Sequence, residues 1–156
     1  MNISQPMTAF VNYVQPEFEE LKRRFPAYVD PDYFAGLRFD PIECCKAVSK
    51  ENREVAFEYV YMGRESSIDE TDDKVLAEMD RLGFRPALYE ELLGFAEKYP
   101  DEQRKYPIVA LGSVALVHVR LRGVACLWGN GDDSYLDLCW SGCGWNDDDR
   151  FLAVRK

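Results

Sequence analysis

Residues 136–156 read LDLCWSGCGWNDDDRFLAVRK: tryptophans and cysteines set among glycines and aspartates, running into an apolar and basic close. Leu136, Leu138 and Trp140 alternate with Asp137 and Cys139. An extended chain with that alternation turns its apolar side chains to one face and the others to the opposite face. The first face can pack; the second can vary without cost to a core. Arg150 to Val154 reads as a further strand beyond the Asp-rich link.

Upstream, Tyr135 opens the same strand, and GNGDD before it reads as a turn. Those glycines lack the strand-to-helix setting and the lysine of a phosphate-binding loop. Val124 to Trp128 is another short strand, Gly123 is placed as a turn, and Val117, Val119 and Leu121 alternate with His118, Arg120 and Arg122. YPIVALGS is a continuous apolar run. The carboxy-terminal half is therefore expected to be a small antiparallel sheet.

Helical periodicity dominates before Pro107. FRPALYEELLGFAEKYP puts Pro86 in a first turn and Leu88, Leu92, Phe95, Ala96 and Tyr99 on one stripe, ended by Pro100. Ser67 and Glu70 form a capping box ahead of Val75, Leu76, Met79 and Leu82, with Gly83 as the stop. DPIECCKAV places Asp40 as a cap, Pro41 at the first helical position and Glu43 three residues after the cap, the signature of a helix start. Phe18, Leu21 and Phe25 predict a short helix between Pro16 and Pro26, whereas EVAFEYVYM predicts a strand with Val55, Phe57, Tyr59 and Tyr61 on one face. The expectation is one α+β domain over residues 1–156, its helices preceding the sheet.

The formal net charge of −9 repels a phosphate backbone, and no basic stripe offsets it, so nucleic acid is not an expected partner. Residues 1–20 lack the charged and apolar regions of a signal peptide, and no apolar run approaches a membrane span. A cytoplasmic address is the default expectation; virion or surface display is compatible with the same sequence. Five cysteines, Cys44, Cys45, Cys126, Cys139 and Cys143, lack the paired spacing of a secreted disulfide framework and are expected to be reduced.

Catalytic constellations are sparse. His118 is the sole histidine and has no partner at a recognisable spacing, so a nucleophile and base are not expected. Asp147, Asp148 and Asp149 form a solvated acidic turn rather than an acid/base pair across a cleft. Cys139 and Cys143 could contribute to a zinc site, but a closed site needs four good ligands. Trp145, Asn146 and Asp147 spell the WND with which calcium-dependent C-type lectins supply oxygen ligands; the companion sugar-binding loop of those lectins is absent. No metal, cofactor or enzymatic activity is expected.

From Gly129 to Asp149 no Lys, Arg, Glu, Gln or Met occurs, and all six acids from Gly123 to Asp149 are aspartate in a chain that uses glutamate freely elsewhere. The run RPALYEELLGFAEKYPDEQRKYPIVALGS, then VACLWGNG, the tryptophan-punctuated segment and the terminal RFLAVRK resemble the variable proteins of diversity-generating retroelements, in the form found in archaea and small-genome bacteria. The resemblance covers about residues 69 to 156. In that family a reverse transcriptase copies a template with errors at adenines, so AAY codons become Asn, Asp, Ser, Gly, Tyr, Cys and others.

What the resemblance implies is a C-type-lectin-like fold without disulfides and a ligand-binding region over residues 123–156. Its diversified positions would be Ser134, Tyr135, Asp137, Cys139, Ser141, Gly142, Cys143, Gly144, Asn146, Asp148 and Asp149. Trp128, Leu136, Leu138, Trp140, Trp145 and Arg150 to Lys156 would be fixed scaffold, with Trp140, Trp145, Phe151 and Val154 as anchors. The implied function is display of a variable surface to a macromolecular ligand, expected to be a protein. Tyr135 is the foremost contact residue, and an acidic surface favours a basic partner patch. The rivals are a calcium- or zinc-dependent binding module and an oxidase related to the lectin-like formylglycine-generating enzymes.

Overall fold

The computed structural model describes residues 7–62, 72–118, 121–140 and 145–156, the side chains of His118 and Leu121 excepted. The Ser67–Glu70 capping box, the side chain of His118, and Ser141, Gly142, Cys143 and Gly144 therefore lie outside the described residues.

Along the chain come strand β1 (Met7–Val11), helix α1 (Phe18–Arg24), the four-residue helix α2 (Pro31–Phe34), β2 (Asp40–Pro41) and a 3-10 turn (Glu43–Cys45). Then follow β3 (Arg53–Val60), α3 (Asp72–Arg81), β4 (Phe84–Pro86), α4 (Tyr89–Lys98) and a second 3-10 turn (Glu102–Arg104). The chain closes with β5 (Ile108–His118), β6 (Leu121–Asn130), β7 (Asp133–Trp140) and β8 (Arg150–Arg155). The eight strands among the described residues join one sheet, whose main path runs β1-β3-β8-β5-β6-β7. β4 pairs with the far end of β8, and β2 with β5.

Several expected elements form for the expected reasons. In β3, Val55 and Phe57 are buried and alternate with exposed neighbours, as a half-buried strand requires. α3 buries Val75 and Met79, and Gly83 ends its turn at φ +85°, a conformation glycine adopts without strain. α1 lies where the proline-bounded pattern puts it.

The expected C-type-lectin-like arrangement, with helices preceding a small antiparallel sheet and no disulfides, is overturned. The sheet spans nearly the whole chain, β1 and β3 enter it before α3 forms, and β5 runs parallel to β8. The cysteines are not all reduced: Cys126 on β6 is bonded to Cys139 on β7. β6 and β7 are antiparallel with Cys126 opposite Asp137 and Val124 opposite Cys139, so the two cysteines are diagonal neighbours on one face. Strand pairing brings them together; their spacing in the chain carries no such signal.

The bridge joins residues separated by 13 in sequence. Closing a loop of that size removes entropy from the unfolded chain, so breaking it is expected to lower the unfolding free energy by about 2 to 3 kcal/mol. Urea denaturation with and without a thiol reductant measures this; an unchanged midpoint would mean that the bridge does not form in solution.

DPIECC forms no α-helix. Asp40 and Pro41 pair with Val114 and Ser113, and the Ile42 N–H donates to the Gly112 carbonyl at 2.9 Å, leaving only a 3-10 turn over Glu43–Cys45. Gly123 is not a turn but a β6 residue opposite Trp140. α4 is no amphipathic surface helix either: every residue from Tyr89 to Ala96 is buried, including Glu90 and Glu91.

Two apolar clusters flank the sheet. The larger packs α1 and α4 against one face, with Phe57, Phe95, Leu127, Leu136 and Leu152 deep inside. The smaller gathers Val75 and Met79 of α3 with Val109, Val124, Trp145 and Phe151 on the other. Each end strand of the main path is met by a segment from outside the sheet. Tyr99 meets β1, its hydroxyl accepting from the Thr8 N–H at 3.0 Å, and Leu136 of β7 donates to the Tyr28 carbonyl at 3.3 Å. No helix among the described residues is long and apolar enough to cross a membrane.

Candidate functional site

Residues directly opposite in an antiparallel pair share a face. Leu127 and Leu136, Ala125 and Leu138, and Gly123 and Trp140 are opposed in the β6–β7 ladder, and this set points into the larger core. Trp128 and Tyr135, Cys126 and Asp137, and Val124 and Cys139 make up the other set. That second face is covered by α3 and Trp145 toward the middle of the sheet and opens toward the β6–β7 end.

On the open part, the Trp128 and Tyr135 rings stack with centroids 4.1 Å apart and planes 8° from parallel. Tyr28, between α1 and α2, brings its ring to 6.0 Å from Tyr135 and remains 39% exposed. The Trp128 indole N–H donates to Asp137 Oδ2 at 3.1 Å, and the Leu138 N–H to Asp137 Oδ1 at 2.8 Å. Behind the strands, the buried Gln103 amide donates to the carbonyls of Trp128 and Tyr135, which fixes the backbone under the stacked rings.

The turn after β7 is fixed with equal care. Asp149 is 6% exposed, and its Oδ2 accepts the Asn146 N–H at 2.9 Å while its own N–H donates to the Asn146 carbonyl at 3.2 Å. Burial pushes the Asp149 carboxyl above the usual aspartate range, against the pull of the Asn146 N–H. The Arg150 guanidinium lies between the rings of Tyr61 and Tyr106, 3.8 and 4.4 Å from their centroids, and donates to the Asp148 carbonyl. Trp145 is buried edge-on to Phe151, its indole N–H donating to Asp72 at 3.0 Å. Asn146, Asp147 and Asp148 are left exposed on this pinned turn.

The described members of the expected variable set thus occupy different settings. Ser134 and Tyr135 are half-buried on β7, and Asn146 and Asp148 are exposed on the turn. Asp137 bonds to Trp128, Cys139 is half of the disulfide, and Asp149 holds the turn from inside. Leu136, Leu138, Trp145 and Phe151 are buried, while Trp140 and Val154 are half-buried. The sequence gives Tyr28, Tyr61 and Tyr106 no site role, placing Tyr61 only on a strand face; long-range packing carries them to the site, and no local pattern announces it.

Metal chemistry finds little to build on here. The sulfur of Cys139 is committed to Cys126, which removes it from a zinc site in this oxidised state. Asn146 and Asp147 sit beside Asp148 and Tyr61 in an open hollow. Among the described residues no three His, Cys, Asp or Glu side chains gather in a way that could hold a metal ion.

A cleft of about 290 Å³ opens between the stacked face and the pinned turn, walled by Trp128, Trp140, Trp145, Asp137 and Asp149. A larger groove of about 580 Å³ lies where α3 meets β4 and β5, with Leu76, Phe84 and Leu111 among its apolar walls; none of the expected variable positions lines it. No protein-family model matches the chain, and neither a curated protein nor a solved structure matches it.

Proposed function

We propose that the chain is a ligand-binding display protein whose binding surface is the open face of β6–β7 with the turn at residues 145–149. The observation that carries this reading is the division between the two faces of β7. Leu136 and Leu138 close the core, whereas Tyr135, Asp137 and the turn residues Asn146 and Asp148 lie on the outward side. Tyrosine and tryptophan there offer large contact areas with polar tips at low entropic cost. The reading includes the origin of the surface: the run of Asn, Asp, Ser, Gly, Tyr and Cys from Ser134 onward matches what adenine-directed retroelement mutagenesis leaves. The ligand is a macromolecule, a protein by preference, and the net charge of −9 favours a basic patch on it.

A display surface must accept other residues without loss of the fold. Replacing Ser134, Tyr135, Asn146 and Asp148 together by other residues of the same menu is expected to cost no more than about 0.5 kcal/mol per exposed site, with somewhat more at Tyr135 where the stack is lost. Thermal unfolding reads the outcome. A cooperative transition close to the original supports a tolerant surface; loss of the folded state shows that these positions are structural and removes the basis for variation. The proposed origin has its own test in the neighbouring DNA, where a template repeat differing mainly at adenines is expected.

A further inference from the structure

Cys44 and Cys45 are neighbours in the chain, both are free thiols, and neither belongs to the surface described above. Their turn is firmly held. Asp40 and Pro41 pair with β5, the Cys45 N–H donates to the Ile42 carbonyl at 2.9 Å, and the Cys45 thiol donates to the Pro86 carbonyl at 3.7 Å. Cys45 is buried and Cys44 exposed, yet their sulfurs lie 3.9 Å apart. The exposed sulfur gives a ligand its way in, and the buried one is within reach of the same ligand atom.

A direct bond between the two sulfurs is disfavoured. Consecutive Cα atoms stand about 3.8 Å apart, closer than the roughly 4.4 to 6.8 Å that a disulfide ordinarily spans. The pair accordingly stays reduced while Cys126 and Cys139 are bonded. One atom bridging the two sulfurs lengthens the ring and relieves that constraint.

The geometry restricts what this atom can be. Zinc needs four good ligands, and among the described residues no three His, Cys, Asp or Glu side chains gather in a way that could hold a metal ion. A linear two-coordinate ion with bonds to sulfur of about 2.3 Å would hold its sulfurs about 4.6 Å apart. At 3.9 Å the pair suits a centre that bends its two sulfur bonds toward each other and brings its own third substituent. The centre must also accept protonated sulfur. Burial, reinforced by the neighbouring Cys44, pushes the Cys45 thiol up to about 12, which disfavours a cation that needs a ready thiolate. Trivalent arsenic meets all three conditions, being thiophilic, pyramidal and supplied with hydroxyl groups that take up the thiol protons.

We propose that Cys44 and Cys45 form a dithiol site for a trivalent arsenical. Two As–O bonds break and two As–S bonds form, each thiol proton leaves with a hydroxide as water, and the arsenic stays trivalent throughout. Cys44 also lines the groove of about 580 Å³, with Ile42, Phe84, Pro86 and Leu111 among its walls, so an organic group on the third valence has an apolar surface to rest on. The same chemistry has two sources, inorganic arsenite and an organoarsenical.

The test uses the full-length oxidised chain carrying Cys143→Ser, which leaves Cys44 and Cys45 as its free thiols. Phenylarsine oxide is titrated calorimetrically, and intact mass gives the stoichiometry. One phenylarsenic group per chain, less two hydrogens, is the expected gain, since both thiols are consumed. Cys44→Ser and Cys45→Ala in the same background are each expected to weaken binding about a hundredfold, because the second thiol otherwise attaches in an intramolecular step. Cys44 is exposed, so its variant tests the site even if Cys45→Ala unfolds. Absence of the adduct, or undiminished affinity in the folded Cys44→Ser chain, overturns the proposal.

Sodium arsenite forms the second arm, with each affinity expressed relative to that for the dipeptide N-acetyl-Cys-Cys amide. A larger advantage of the protein for the phenyl compound identifies an organoarsenical held by the groove, and a larger advantage for arsenite identifies the inorganic form; either supports the dithiol site. The display reading stands or falls separately, on the replacement of its exposed positions.

Discussion

Arg85→Met is expected to lower the unfolding free energy by about 3 to 5 kcal/mol at neutral pH, because it leaves a carboxylate buried without its counter-charge. Glu91 is fully buried in α4, and both of its oxygens are engaged. The Arg85 guanidinium donates to Oε1 and Oε2, each at 2.8 Å, the Tyr13 hydroxyl donates to Oε2 at 2.7 Å, and the Leu88 N–H to Oε1 at 2.8 Å. These bonds tie β4, α4 and the segment after β1 together, and the Leu88 bond also caps the helix. Burial alone would raise the Glu91 carboxyl; the Arg85 fork and the other donors hold it below the usual glutamate range instead.

The pH dependence follows from that direction. A carboxyl with a lowered native value contributes stability that is fully present above its unfolded value, about pH 4, and is lost as the pH falls through the native value. In Arg85→Met the guanidinium is gone and burial dominates, so the native value rises above the unfolded one and acid no longer removes the same contribution. The gap between the two proteins is therefore expected to be widest at neutral pH and to narrow toward about pH 3. Urea titrations over that range measure it. A gap that does not change with pH would place the loss in packing rather than in charge.

Gly112→Ala is the second large effect. A Cβ built at Gly112 would lie 2.5 Å from the Ala87 carbonyl oxygen and 2.8 Å from both the Ala87 carbonyl carbon and the Pro86 oxygen. Those atoms are backbone and cannot rotate away. The Gly112 N–H donates to the Ala87 carbonyl at 2.8 Å, the Ala87 N–H to the Leu152 carbonyl at 2.9 Å, and the Gly112 carbonyl accepts from Ile42. One methyl group therefore strains the junction of β5, β8 and the chain leaving β4, at a cost expected to reach about 3 kcal/mol or more. Gly36→Ala provides the control: a Cβ there meets nothing within 4 Å, although its φ of +77° still carries a strain penalty of about 1 to 2 kcal/mol. If Gly112→Ala proved no worse than Gly36→Ala in chemical denaturation, the close approach of Ala87 would be incorrect.

The burial of Glu90 beside Glu91 shows how tertiary packing overrides a local pattern. Glu90 accepts from Lys50 at 2.6 Å through Oε2, while its Oε1 has no hydrogen-bond partner among the described residues. A stripe of Leu88, Leu92, Phe95, Ala96 and Tyr99 implies that the glutamates face water. The sheet instead wraps past α4, with Gly94 close to the β1 backbone at Phe10, so the helix has no solvent side along most of its length.

By itself the sequence determined the features that depend on neighbours in the chain. Alternation in YLDLCW settled which side chains of β7 meet the core, because the pleat of an extended chain permits no other division. Periodicity placed α1 and α3, and Gly83 ended α3 because glycine accepts a positive φ. It did not determine the arrangement of the strands: Cys126 meets Cys139, Tyr28 reaches Tyr135, Arg85 finds Glu91 and Trp145 finds Asp72 only after the sheet has formed. Those meetings depend on strand order and register, which many distant contacts fix together; Asp40 and Pro41 show the consequence, since pairing with β5 outweighs their local signal for a helix.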